Sequence, residues 1–385
     1  MLRASSDTES TLSDNHTMRR NTVLIGHPFA PIGCGESLRC AYRAFRSVAL
    51  RPAILDVYGI HQAEEDAQRE FAPALTREFG DVNIFFLNAD EVEGALAHLG
   101  TRSPPGYNII YPNWELPNFP SAWWPQLEKF DEVWAPSQFI ADSIGDNVKV
   151  PVHHVPVPCE VDLSSLLSRR YFGIPESAYA FLFFFDFRSY STRKNPQAVV
   201  QAFRKLCADR PTANAVLVIK VNGSENDPAA LARLKEEIRP FRNQIILIDG
   251  TITDNEVKNL VRCCDSFVSL HRSEGFGRGL AEAMYLGKPL IATGYSGNMD
   301  FMDSESALLV SFDLVPVAEG EYPHHEGQVW AAAHVDEAAG YMTRLVDDPR
   351  WGRELGQRAS RTVRSLVSYR TVGMSYRRRL EAIAS

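Results

Sequence analysis

The sequence predicts an α/β protein built from two doubly wound parallel-sheet domains. Three observations carry this. The chain has 385 residues, too many for one ordinary core and enough for two of about 170 each. Short β-branched and aromatic runs alternate with helix-length amphipathic stretches, the pattern of a parallel sheet wound by helices. A proline-alternating segment, residues 150–158, reads as an extended hinge between the two halves.

Composition narrows the functional classes. Hydrophobic residues at 45% and aromatics at 10% are enough to fill two cores. A net charge of -8 argues against a nucleic-acid partner, which calls for a basic excess. The six cysteines have no CxxC spacing and fit neither a disulfide framework nor a zinc site, so a reducing compartment is the simplest reading. No apolar run is long enough to span a bilayer; the longest, residues 179–187, is broken by Asp186. Residues 1–20 are polar and lack the apolar core of a secretory signal, so a disordered tail is expected, with the fold starting at Asn21. A cytoplasmic location is the default, with peripheral attachment at the inner membrane face left open.

Thr22 to Gly26 reads as the first strand, followed by a loop over residues 27–37 and a helix with Leu38, Ala41, Tyr42 and Phe45 on its apolar face. Strand, glycine loop and helix open a doubly wound sheet, whose ligands sit beyond the carboxyl ends of the strands. The loop is not GxGxxG, and its Gly33 and Gly35 are equally consistent with a plain turn. Strands at 53–57, 82–87 and 107–111 then alternate with helices at 62–78 and 89–99. Asn113, Trp114 and Glu115 follow at a strand end, where Glu115 is well placed to meet a sugar. Tryptophans here are by default core or cleft wall. In the hinge, His153 and His154 point to opposite faces, which argues against a shared metal.

The second half, from about residue 165, opens with residues 179–187, apolar enough for a central strand buried on both faces. At its carboxyl end Arg188 and Lys194 straddle a turn, where two cations neutralise a diphosphate. The alternative is a solvated basic loop, and Arg193 is assigned to that. Strands at 215–220 and 244–248 follow, and residues 249–254 cap a helix at 255–263.

Residues 266–303 concentrate the chemistry. A short strand leads to a loop in which Gly275 and Gly277 bracket Phe276. A helix with Leu280, Ala281, Met284 and Tyr285 on one face then runs to the stop Gly287-Lys288-Pro289. The glycines let backbone N–H groups approach an anion at a helix start. Glu282 lies roughly 7 Å along the axis from Gly277, a separation that suits a ribose beside a phosphate. Glu274 precedes the helix, and a carboxylate there is tolerated beside phosphate when aimed at a sugar diol. A glycine turn followed by an amphipathic helix with two surface glutamates would explain the first few residues equally well.

The pattern extends, however, through Glu274-Gly275-Phe276-Gly277, Glu282-Ala283-Met284, Gly287-Lys288-Pro289 and Gly294-Tyr295-Ser296-Gly297-Asn298. This resembles the glutamate-x7-glutamate signature of the family 4 retaining glycosyltransferases, which have the GT-B fold. The resemblance implies two Rossmann-like domains facing across a cleft, 21–164 on the acceptor side and 165–364 on the donor side. A terminal helix, 365–385, would cross back onto the first domain. The implied reaction moves a hexosyl group, with retention, from a UDP- or GDP-linked sugar to a hydroxyl of a glycan or lipid-linked saccharide. No cofactor is implied. No aspartate lies two residues from another, so the DxD metal motif of the other main glycosyltransferase fold is absent and no metal is expected.

Site roles follow from the same resemblance. Arg188 and Lys194 would hold the leaving diphosphate with the amides of Gly275, Phe276 and Gly277. Glu274 would fix the sugar hydroxyls and Glu282 the ribose. The base would pack on Gly250, Thr251 and Ile252, and Gly33 and Gly35 would face the donor phosphates and the acceptor. Many family members place a histidine where this chain has Asn113-Trp114-Glu115, leaving these three as candidate sugar or acceptor contacts. Arg278 stands where the family carries an apolar or small residue, and faces either donor or solvent. Asn113 to Glu115 with Arg193-Lys194-Asn195-Pro196 resembles a subset from bacterial polysaccharide assembly. Rival readings keep the fold but change the reaction to phosphorolysis, hydrolysis or epimerisation, or reduce the protein to a non-catalytic nucleotide binder. Lys288 reads as a helix-end cation. Arg377-Arg378-Arg379 reads as a solvated helix end, with contact to anionic lipid as the alternative.

Overall fold

The computed structural model describes residues 21–59 and 65–385. The tail expected at 1–20 and the start of the helix expected at 62 lie outside the described residues. Strands β1 (Thr22–Gly26), β2 (Ala53–Asp56), β3 (Val82–Phe85), β4 (Tyr107–Ile110), β5 (Glu132–Ala135) and β6 (Val152–His154) form one parallel sheet. Their order is β2-β1-β3-β4-β5-β6. Helices α1 (Gly33–Ser47), α2 (Glu65–Phe71), α3 (Val92–His98), α4 (Trp124–Leu127) and α5 (Gln138–Ile144) connect them.

Three expectations change in this half. Gly33 and Gly35 lie inside the first turn of α1, not in a loop. A Cβ on Gly35 would come 2.6 Å from the carbonyl oxygens of His27 and Ala30, so glycine lets the preceding segment fold against the helix start. The helix expected to reach residue 78 ends at Phe71, because Pro73 tightens the next residues into a 3₁₀ turn. The proline-rich segment is not wholly a hinge, since residues 152–154 form β6. Its place at the sheet edge is where flanking prolines are tolerated.

A second parallel sheet contains β7 (Tyr179–Asp186), β8 (Ala215–Asn222), β9 (Ile245–Asp249), β10 (Ser266–Ser269), β11 (Leu290–Thr293) and β12 (Leu308–Val310), in the order β12-β11-β10-β7-β8-β9. The apolar run at 179–187 supplies its centre, pairing with β8 from Tyr179 to Asp186. Helices α6 (Ser191–Lys194), α7 (Pro196–Asp209), α8 (Pro228–Ile238), α9 (Asp254–Cys263) and α10 (Arg278–Tyr285) wind around it. Thr253 and Glu256 form a reciprocal capping box that starts α9. Lys288 donates to the carbonyls of Arg262 and Cys264 at the other end of that helix, both at 2.7 Å. An antiparallel hairpin, β13 (Phe312–Pro316) and β14 (Val329–Ala333), was not expected, and the polar loop foreseen at 319–327 is its tip.

Helices α11 (Val335–Asp347), α12 (Pro349–Val367) and α13 (Tyr369–Ala384) complete the chain. The two crossings between halves run side by side: the Cys159 N–H donates to the Val367 carbonyl at 2.8 Å, and the Tyr369 N–H to Glu160 Oε1 at 2.7 Å. Helix α13 then lies along α1, with the Tyr376 ring between Phe45 at 4.6 Å and Trp134 at 5.3 Å. Among the described residues, no helix is long and apolar enough to cross a membrane.

The arginine run in α13 corrects the solvated reading for two of its three members. Arg377 donates to the Val48 carbonyl, and Arg379 pairs with Glu132, whose exposure is 0%. Trp134 Nε1 at 2.6 Å and the Tyr107 hydroxyl at 3.1 Å also donate to that carboxylate. Arg378 stays exposed. Arg379→Ala leaves Glu132 buried without its cation and should cost about 3 kcal/mol in urea unfolding at pH 7. Arg378→Ala should stay within about 0.5 kcal/mol of the parent.

Candidate active site

Each sheet has one point where the strand order reverses, between β1 and β3 in the first and between β7 and β10 in the second. The crevice beyond the carboxyl ends of strands at such a point is where doubly wound sheets bind ligands. Here the two crevices meet. Ser137 Oγ, after β5, donates to the Gly275 carbonyl at 2.5 Å, and Ser273 Oγ donates to the Glu115 carbonyl after β4.

At the centre of the second crevice sits Glu274, 9% exposed. Lys194 Nζ lies 2.5 Å from its Oε1 and Arg193 Nη1 3.2 Å from its Oε2. Burial alone would raise the carboxyl, but Lys194 and Arg193 outweigh it and hold it at about 2. Its own N–H donates to Ser296 Oγ at 2.8 Å. Arg193 is therefore not the solvated loop residue the sequence led us to expect. It is 3% exposed, donates to the Ser273 carbonyl at 2.8 Å, and reaches within 3.9 Å of Glu115 in the other half. The reason is α6, a single turn that ends in left-handed Asn195, whose Nδ2 donates to the Leu270 carbonyl at 2.9 Å. That anchor turns Arg193 and Lys194 toward β10 together.

Arg188 is placed differently. It grips the β7-end Asp186, with Nη2 2.6 Å from Oδ2 and Nε 3.0 Å from Oδ1, and not Glu274. Asn222 joins the same carboxylate at 3.1 Å and accepts from Thr251 Oγ1 at 2.8 Å. This chain of contacts links Arg188 to the Gly250–Thr251–Ile252 turn, where Gly250 and Thr251 are exposed and Ile252 is partly buried.

Gly277 stands at the N-terminus of α10 with φ +94°, a conformation that favours glycine. Phe276 packs on Phe301 at 4.9 Å behind it, holding Gly275 to Gly277 in place. Glu282, one helical face on, is partly buried. Burial raises its carboxyl to about 7 against the opposing pull of Arg278 and Lys258. Arg278 itself crosses to α1, donating to Ser37 Oγ at 3.1 Å and Cys40 Sγ at 3.5 Å, close to Gly33 and Gly35. It thus faces neither open solvent nor the crevice alone. Asn113 Nδ2 donates to Cys34 Sγ at 3.3 Å, and the Trp114 ring is 3% exposed against Phe119, Trp123 and Tyr322. Glu115 accepts from the Tyr322 hydroxyl at 2.5 Å.

Sequence reasoning passed over His271, Ser296, Asn298 and Tyr322. His271 is fully buried, with Nδ1 3.0 Å from Ser269 Oγ and Nε2 3.0 Å from Asn298 Oδ1. Burial lowers its pKa, so the neutral ring holds Asn298 and, through that turn, Ser296 under Glu274. Ser296 and Asn298 lay within the motif quoted from the sequence; His271 carried no signal beyond standing two residues past a strand. Among the described residues, no cluster of three or more His, Cys, Asp or Glu is arranged to hold a metal.

Comparison with known proteins adds to this geometry. Residues 180–359 match the family model described as glycosyl transferases group 1. A mannosylfructose-phosphate synthase from Agrobacterium fabrum is 28% identical over 109 residues, covering 28% of this chain and 24% of that protein. The matched part thus spans about a quarter of that relative's length. The Anabaena HepE protein in complex with UDP and glucose covers 94% of this chain and 100% of its own, at 14% identity and a TM-score of 0.69. Sucrose-phosphate synthase from Thermosynechococcus elongatus covers 95% and 100%, at 14% identity and a TM-score of 0.66. The chain has the GT-B fold that it shares with these structures, and its second sheet and the helices around it carry the match to the model described as glycosyl transferases group 1.

Proposed function

We propose that this chain is a retaining, metal-independent glycosyltransferase of the family 4 kind. On this reading it moves a hexosyl group from a nucleoside diphosphate sugar to a hydroxyl of a glycan or lipid-linked saccharide in bacterial polysaccharide assembly. The observation that carries the reading is Glu274 held by Lys194 and Arg193 beside the glycine-led start of α10, at the reversal point of the second sheet. The match of residues 180–359 to glycosyl transferases group 1 supports it. So does a neighbour solved with UDP-glucose, which favours a nucleotide sugar as donor and makes UDP the first nucleotide to try.

Glycosyl transfer builds positive charge at the anomeric carbon while negative charge collects on the departing diphosphate, and fixed donors aimed at that anion lower the barrier. Lys194, Arg188 and the amides of Gly275 to Gly277 are those donors. Glu274 holds sugar hydroxyls, with Arg193 keeping it ionised. Glu282 accepts from the ribose diol, and the turn at Gly250 to Ile252 receives the base. Retention follows if the acceptor's proton leaves to a phosphate oxygen on the same face, a route that calls for no protein base. A phosphorylase or hydrolase on the same fold would consume the donor with phosphate or water alone.

Lys194→Ala and Glu274→Gln should each lower turnover of UDP- or GDP-linked hexoses by about 100-fold with chelator present. Parent-like turnover in both variants would overturn the site. Glu282 predicts a pH dependence. As a carboxylate it accepts both ribose hydroxyls, so UDP-sugar affinity should fall as pH drops from 8 to 6, through its value of about 7. Glu282→Gln should bind roughly tenfold more weakly at pH 8 and show a flat profile. Stability runs the other way. A carboxyl raised on folding stabilises fully below the unfolded value of 4.5 and loses that contribution as pH rises through about 7. Unliganded Glu282→Gln should therefore melt higher than the parent at pH 8 and alike at pH 4.5.

A further inference from the structure

The β13–β14 hairpin leaves the second half and seats itself on the first. Trp330, at 0% exposure, and Val317 join the core around Phe119 and Trp114. Gln328 Nε2 donates to the Asn118 carbonyl at 2.6 Å. From this hairpin Tyr322 reaches the cleft mouth, where its hydroxyl donates to Glu115 and the Arg193 guanidinium lies over its ring at 6.0 Å.

Against Tyr322 stands Tyr190, with ring centroids 4.7 Å apart and planes at 58°. Tyr190 is 43% exposed, although it belongs to the same loop as Arg188 and Lys194. It holds φ +62°, a left-handed conformation uncommon for an aromatic residue and costly without compensation. Partial burial and then the charges of Asp90 and Glu115 raise its hydroxyl pKa, and Glu115 is brought to the same wall by its bond to the Tyr322 hydroxyl. Asp90 is exposed and Glu115 partly buried.

An open aromatic ring beside a carboxylate matches a neutral polyol: sugar C–H groups can lie against the ring while a hydroxyl donates to the remaining acceptor capacity of Glu115. An alkyl chain would offer that carboxylate nothing beyond the bond it already has from Tyr322. We infer that Tyr190 is the stacking platform of a saccharide subsite on the acceptor side of the cleft, walled by Tyr322 and supplied with an acceptor by Glu115. The assignment rests on the proposed transferase reading and narrows it, because the acceptor end that enters the cleft is then a sugar ring.

The test is saturation-transfer NMR on the full chain with UDP bound, using maltose, cellobiose and diacetylchitobiose as probes and glycerol as control. Tyr190→Asn removes the ring with a residue that tolerates positive φ, and Tyr190→Phe keeps the ring. At least one disaccharide should receive saturation in the parent and in Tyr190→Phe, and roughly fivefold less in Tyr190→Asn, with UDP affinity unchanged in all three. If UDP binds but no disaccharide does, or if Tyr190→Asn matches the parent, the subsite assignment falls and the donor reading stands. If neither UDP nor GDP binds, the transferase reading falls and takes the subsite with it.

Discussion

The site depends on keeping one carboxylate ionised in a nearly dry place. Removing a carboxylate from water costs several kcal/mol unless cations and hydrogen bonds replace the lost hydration. Glu274 obtains that replacement from Lys194 and Arg193. Dependence is mutual, since Arg193 is as dry as its partner and relies on Glu274, the Ser273 carbonyl and Glu115 for its own charge. Arg193 is thereby shared between Glu274 and Glu115, while Lys194, the less buried of the two cations, is the freer to turn toward an arriving anion.

The same cluster joins the halves. Arg193 links the Glu274 side to Glu115, and Glu115 is held in turn by Tyr322 of the hairpin. Polar contacts of this sort contribute roughly 0–1 kcal/mol each where water reaches them. The seats of Trp330 and Tyr376 are another matter, because both rings are fully buried among first-half residues and removing either exposes a large apolar surface. The apolar seats of the hairpin and α13 therefore hold the halves together more firmly than the polar contacts across the cleft do.

Much of this was legible in the sequence where one physical constraint dominates. A run buried on both faces, residues 179–187, has no reading other than a central strand, and the glycine-bracketed Phe276 before a helix pattern marked the crevice. The hairpin was not legible because its strands are separated by a long loop without turn residues at hairpin spacing, and Leu314 is 55% exposed, which breaks the alternation. Arg193 was misassigned for a geometric reason. Three cations within seven residues look alike in the sequence, and which of them face inward is set by α6, bounded by Tyr190 and Asn195, both with positive φ. Propensity allows that conformation for Asn195 but does not assign it to Tyr190. Gly33 and Gly35 were taken for a loop because glycine disfavours helix interiors, yet the close approach of His27 and Ala30 to Gly35 requires one at that place.

Arg278 shows how the two halves set each other's electrostatics. A cation in the first turn of a helix opposes the macrodipole, so its position on α10 is unfavourable taken alone. It is sustained by the first half: Ser37 and Cys40 accept from it, and Glu36 lies close by, with burial raising that carboxyl and Arg39 and Arg278 bringing it down to about 2. Within its own helix, Arg278 opposes the burial that drives Glu282 toward neutrality. Separating the halves would strip Arg278 of Ser37 and Cys40 while leaving it one turn from Glu282. The charge of the proposed ribose contact thus depends in part on an arginine that the first half holds, at a position where the family resemblance called for none.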